Sequence, residues 1–272
     1  MNRIRKKFKF LKKQNRKALI LFMTAGDPSL KKNEELIYAM ERDGVDLVEL
    51  GVPFSDPLAD GPVIQASSQR ALLRKTTLRK ILALVRQTRR RSQVPILLMS
   101  YLNPLHHFGI ERFAAAARKA GVDGVIIPDL PPEEGRPITS VLSRHGLDGV
   151  YLLAPTSGAK RKRLVARSSR GFIYYVSLTG VTGSRSSLDA SFYRNISEVK
   201  RLTRLPVCAG FGVSTPADAR KVCRAADGVI IGSAVVRALE RHPRMKASEF
   251  SKRFIRPFAR AVKAERSRWL RR

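Results

Sequence analysis

The residues best placed to do chemistry lie at positions 46–65, DLVELGVPFSDPLADGPVIQ. There an apolar run closes on Glu49, and a Gly/Pro-rich loop then delivers Asp56 and Asp60. The chain holds 53 Lys and Arg against 22 Asp and Glu, so a local gathering of acids stands out, and no further acid follows Asp60 until Glu111. A carboxylate at the end of an apolar strand is costly to bury unless it is partnered or used. It could be a loop cap in an ion pair, or one half of an acid–base pair whose pKa the apolar surroundings raise. A second chemical feature is a set of glycine segments, TGVTG at 179–183, GFG at 210–212 and Gly232-Ser233, the last opening into a short helical turn. Glycine lets backbone approach an anion closely, and a helix N-terminus offers free N–H groups with a favourable dipole. Together the three segments suggest a phosphate-bearing ligand, although Gly180 and Gly210 also fit ordinary strand-to-helix turns.

The elements that would position these groups alternate regularly. Near-continuous apolar runs predict strands at 18–24, 46–50, 96–100, 124–128, 149–154, 172–177, 206–209 and 228–231, as in strands buried on both faces. Amphipathic stretches predict helices at 30–42, 78–91, 110–120, 133–145, 160–168, 191–201, 216–225 and 248–268. Eight strand–helix units imply an α/β fold, a (β/α)8 TIM barrel spanning 1–272 as a single domain. Residues 3–13, with Phe8 and Leu11 as apolar anchors, predict an extra N-terminal helix across the barrel bottom. In such a barrel the chemistry sits on loops at the C-terminal ends of the strands, and Glu49, Asp60, Asp27, Asn103 and Pro104 all map to that rim.

Composition narrows the class. No apolar run reaches the length of a membrane span, and the basic start lacks a signal-peptide core, so a soluble, cytoplasmic protein is expected. Cys208 and Cys223 suggest buried reduced thiols, and the four histidines show no metal spacing; His106 and His107 read as a surface loop pair. The formal charge of +31 predicts nonspecific attraction to nucleic acid or anionic surfaces. No zinc pattern, helix-turn-helix signature or aromatic-interleaved basic motif accompanies it, so a dedicated nucleic-acid role is not expected.

The segments TAGDP at 24–28, 49–60 with both acids, MSYLNP at 99–104, PDLP at 128–131, TGVTG, GFG and GSA at 232–234 resemble the tryptophan synthase alpha subunit over nearly the whole chain. The departures are Leu21, where many members carry Pro, Leu178, where some carry Arg, and the basic excess. The resemblance implies cleavage of indole-3-glycerol phosphate to indole and glyceraldehyde 3-phosphate, with Glu49 and Asp60 catalytic. It also implies substrate contacts from Phe22, Ile64, Met99, Ile126, Leu153, Tyr174, Thr182, Gly183, Phe211, Gly212, Gly232 and Ser233. No cofactor or metal is expected in this chain; pyridoxal phosphate belongs to a beta subunit, with which an alpha2beta2 heterotetramer is expected. That partner would meet Pro53, Asp56, Asn103 and Pro104, leaving most basic residues outside the contact. No predicted strand ends on Lys, which disfavours a Schiff-base aldolase and the related barrel enzyme indole-3-glycerol phosphate synthase. The remaining alternative is a basic barrel scaffold associated with nucleic acid, and the intact Glu49/Asp60 pair speaks against it.

Overall fold

The computed structural model describes residues 2–176, 190–210 and 212–265. Its strand segments are β1 (Ala18–Thr24), β2 (Leu47–Gly51), β3 (Ile96–Met99), β4 (Gly124–Ile126), β5 (Asp148–Val150), β6 (Leu152–Leu153), β7 (Ile173–Val176), β8 (Val207–Gly210) and β9 (Gly228–Ile231). Every neighbouring pair is parallel, in the order β5-β4-β3-β2-β1-β9-β8-β7-β6. The two ends of that order, β5 and β6, are separated only by Tyr151, so they are halves of one strand and the sheet closes into a barrel. The Tyr151 carbonyl accepts the Tyr174 N–H at 3.2 Å, carrying the ladder across the break.

Two-residue alternation divides the strand side chains between two cores. Ile20, Leu47, Leu97, Ile126, Tyr174, Cys208 and Ile230 fill the barrel interior. Leu19, Leu21, Val48, Leu50, Leu98 and Ile231 point outward against the helices. Helix Arg3–Lys13 caps the interior from below, burying Ile4, Phe8 and Leu11 into the inner cluster.

That lower end is clamped by acids at the strand starts. Asp46, Asp123 and Asp227 each accept a backbone N–H of the adjoining strand, from Leu19, Ile96 and Val207, at 3.0 Å. Each is also met by a cation: Lys7 for Asp46 at 3.7 Å, Arg89 for Asp123 at 2.8 Å and Lys200 for Asp227 at 2.6 Å. The N-terminal helix joins the same network through Arg3 to Asp123 and Arg5 to Asp148. Four aspartates, Asp46, Asp123, Asp148 and Asp227, thus tie the lower end of the barrel together.

The structure adds helices that periodicity did not reveal, Pro62–Leu73 after β2 and Leu102–Phe108 after β3. The first does not bury its apolar residues on one face; Ser67, Ser68 and Ala71 are its buried face, and the Ser67 hydroxyl shares a 2.5 Å hydrogen bond with Thr24. His106 and His107 are exposed but sit on the second of these helices, not on a loop. The turn after Gly232 extends into helix Ser233–Arg241. The final helix is broken into Ala247–Phe250, a π-helical turn at Ser251–Ile255, and Arg256–Ala264; Pro257 has no N–H to continue the ladder. Among the described residues no helix is long and apolar enough to cross a membrane.

Asp123 is fully buried against the nearly buried Arg89. Asp123→Asn is expected to lower the unfolding free energy by about 3 kcal/mol, because it strands a buried guanidinium. Urea unfolding checks this, and an unchanged midpoint would contradict the clamp.

Candidate active site

Glu49 shares the interior face of β2 with Leu47 and lies in register with Phe22 on β1 and Leu97 on β3. It is 0% exposed, and neither carboxylate oxygen has a hydrogen-bond partner among the described residues. Burial without compensation pushes its pKa from 4.5 up to about 8. Asp60 sits one residue before the N-cap of helix Pro62–Leu73, half-buried. It accepts the Tyr101 hydroxyl at 3.2 Å, while that hydroxyl accepts the Ala59 N–H at 2.9 Å. Burial raises Asp60 from 3.8 to about 6, with the Tyr101 hydrogen bond holding it down. At pH 7 the first carboxyl is therefore mostly protonated and the second mostly ionised. The Tyr174 hydroxyl is pushed well above its ordinary value by burial and by the charges of Glu49 and Asp60.

A cavity of about 290 Å³ is walled by Phe22, Met99, Tyr174 and Ile64 and reaches Asp60 on one side. Its far side is made by Gly212, Gly232, Ser233 and Arg237. Helix Ser233–Arg241 begins there with Gly232 as its N-cap, so the positive end of the helix dipole borders the cavity. Gly212 has φ +70°, where a side chain would be strained. Arg237, one helical turn on, lies 3.4 Å from the Ser233 hydroxyl and has no carboxylate partner among the described residues. The cavity thus runs from an apolar slot beside Asp60 to a positive end. A larger hollow of about 580 Å³ near Thr139 and Arg167 touches neither carboxyl, and the chemistry outweighs its size.

A family model for the tryptophan synthase alpha chain matches residues 8–264. The chain belongs to the tryptophan synthase alpha chain family. The alpha chain of Geobacter sulfurreducens is 55% identical over 89% of this chain and 91% of its own length. That of Solibacter usitatus is 46% identical over 97% of each. Among solved structures, tryptophan synthase subunit alpha from Legionella pneumophila superposes with a TM-score of 0.91 at 36% identity, covering 97% of this chain and all of that one. A chain of the tryptophan synthase a2b2 complex from Pyrococcus furiosus gives 0.83 at 36%, covering 89% and 98%.

Within this alpha chain Phe22, Asp60, Ile64, Met99, Tyr174, Gly212, Gly232 and Ser233 line the one cavity. Glu49 and Ile126 sit behind its lining, in register with Phe22 and Met99. Leu153 requires a correction. It packs in the sheet–helix layer in register with Tyr175, while Leu152 packs against the barrel interior in register with Tyr174. The alternation runs unbroken through Tyr151, with Val150 and Leu152 facing inward and Tyr151 and Leu153 outward. Thr182, Gly183 and Phe211 lie outside the described residues. Arg237 and Tyr101 were missed. The i, i+4 spacing from Ser233 could have flagged Arg237, but Tyr101 is brought to Asp60 only by the fold. Of the rim residues, Asp56 and Asn103 are exposed, Pro104 is half-buried and Pro53 is buried.

Because the folded pKa of Glu49 is raised, the unfolded chain releases this proton from about pH 4.5 upward while the folded chain keeps it to about 8; stability falls across that window. Relative to Glu49→Gln, the wild type should lose roughly 2 kcal/mol of unfolding free energy between about pH 6 and about pH 8, read from urea titrations. Parallel pH profiles for the two proteins would show that Glu49 is not held protonated.

Proposed function

We propose that this single barrel cleaves indole-3-glycerol phosphate to indole and glyceraldehyde 3-phosphate, with Glu49 as acid and base and Asp60 as the fixed counter-charge. The observation that carries the reading is a fully buried Glu49 with no hydrogen-bond partner among the described residues, in register with Phe22 behind a cavity that the less perturbed Asp60 lines. Indole leaves as a neutral molecule only if its C3 is first protonated, which places positive charge on the ring nitrogen. Glu49, protonated at neutral pH, donates that proton. Ionised Asp60 stabilises the developing charge at N1. The carboxylate left on Glu49 then takes the proton of the glycerol hydroxyl as the C–C bond breaks, its electrons return to the indole ring, and an aldehyde forms. Glu49 ends the cycle protonated.

Phe22, Ile64, Met99 and Tyr174 form the slot for the ring, and the phosphate goes to Gly212, Gly232, Ser233 and Arg237. Among the described residues no Lys lines the cavity and no His, Cys, Asp and Glu set fit for a metal is gathered, so the reading is an aldolase-type carbon–carbon lyase without Schiff base or metal. The barrel works as the alpha partner of an alpha2beta2 assembly. It passes indole to the beta subunit, where pyridoxal phosphate resides. Asp56, Asn103 and Pro104 lie on the rim that would dock, and Leu58 in the same loop is 93% exposed, which suits a contact surface.

Glu49→Gln and Asp60→Asn are each expected to lower indole release by about 10²–10⁴ while the fold persists. The wild-type kcat/KM should rise through about pH 6 as Asp60 ionises and fall through about 8 as Glu49 does. Near-normal turnover in Glu49→Gln would overturn the assignment. At the other end, Arg237→Ala and Gly232→Leu should raise KM about tenfold or more with a smaller effect on kcat. An unchanged KM in both would place the phosphate elsewhere.

A further inference from the structure

The face opposite the active site carries a hollow of about 1140 Å³, walled by helix Arg3–Lys13, by the helices Leu78–Thr88 and Ile110–Ala120, and by the segments leading into β3, β4 and β5. Arg3, Lys6, Lys7, Arg86, Arg89, Arg118 and Lys119 line it, against a single carboxylate, Glu41. Three of these cations are committed, Arg3 and Arg89 to Asp123 and Lys7 to Asp46. Lys6, Arg86, Arg118 and Lys119 are exposed and have no carboxylate partner among the described residues. The same wall carries Phe10, a large apolar side chain left 50% exposed. These residues come from three separate segments of the chain, so cations and aromatic ring are interleaved only once the barrel has formed.

We propose that this groove binds a single strand of nucleic acid without sequence preference, its phosphates on Lys6, Arg86, Arg118 and Lys119 and a base against Phe10. Free cations along a concave wall attract a phosphodiester backbone, and an exposed ring beside them gives a base a face to stack on. A flat anionic membrane would use the charge but not the recess. The site does not depend on the cleavage reading, because it lies at the opposite end of the barrel from Glu49 and Asp60.

The test is fluorescence anisotropy of a labelled oligothymidylate about 15 nucleotides long, with salt varied from about 0.05 to about 0.5 M. Four phosphate contacts predict that log K falls against log salt with a slope of about −3. The triple variant Arg86→Glu, Lys119→Glu, Arg118→Glu should lose at least about tenfold in affinity at low salt and flatten the slope to about −1. Phe10→Ala should weaken binding about fivefold or more and leave the slope unchanged. The matched reversal Lys160→Glu, Arg163→Glu, Arg167→Glu, on exposed positions of helix Ala159–Ser168, should keep most of the affinity. If circular dichroism shows the groove triple to be unfolded, the milder pair Arg86→Gln, Lys119→Gln should still lower the slope by about 1.4. The proposal is overturned by absence of binding at low salt, by equal losses in the matched reversal, or by an unaffected Phe10→Ala. It is also overturned if vesicles of anionic phospholipid compete fully with the oligonucleotide, which would make the groove a membrane contact.

Discussion

Everything at the reacting end of this barrel depends on one desolvated carboxyl. Glu49 projects from β2 into an interior that offers neither of its oxygens a donor among the described residues, so its proton is held by the lack of anything better suited to its anion. The cost of burying that group is what makes it an acid at neutral pH. Asp60, a few residues on, lines the cavity but reaches solvent and accepts from Tyr101. One loop therefore separates two chemically similar side chains into opposite protonation states.

That separation holds only if the interior stays closed at its other end. The buried aspartates at the strand starts, each bonded to a neighbouring strand and to a cation, fix the register of the sheet where water would otherwise enter. Ile4, Phe8 and Leu11 of the N-terminal helix then fill the opening. The buried aspartates at the lower end each meet a cation, whereas Glu49 at the upper end has no hydrogen-bond partner among the described residues. A chain so rich in Lys and Arg has cations for the aspartates, and among the described residues none bonds to Glu49.

Most of the architecture was legible because strands buried on both faces read as unbroken apolar runs; β1 and β9 fall at the positions the sequence predicts. Glu49 and Asp60 were legible for the opposite reason, as acids where the pattern leaves no room for them. What stayed hidden depends on contacts distant in sequence. The Pro62–Leu73 helix turns Ser67 and Ser68 inward, Ser67 bonding to Thr24 and to the Ile64 carbonyl, and it shows no apolar stripe. Leu153 was assigned to the ring slot by family resemblance, and an unbroken apolar run does not itself say which of Leu152 and Leu153 faces inward. Tyr101, which tunes Asp60, has no signature in isolation, and Arg237, which makes the far end of the cavity positive, is marked only by its i, i+4 spacing from Ser233.

The protonation state of Glu49 is the most direct measurement of this account. Infrared difference spectroscopy of the wild type against Glu49→Gln reports the carbonyl stretch of a neutral carboxylic acid. The structure predicts such a band at neutral pH, absent from the variant and fading as pH passes about 8. A wild-type spectrum in which Glu49 is already carboxylate at neutral pH would contradict it, because the group then could not supply the proton that the chemistry requires.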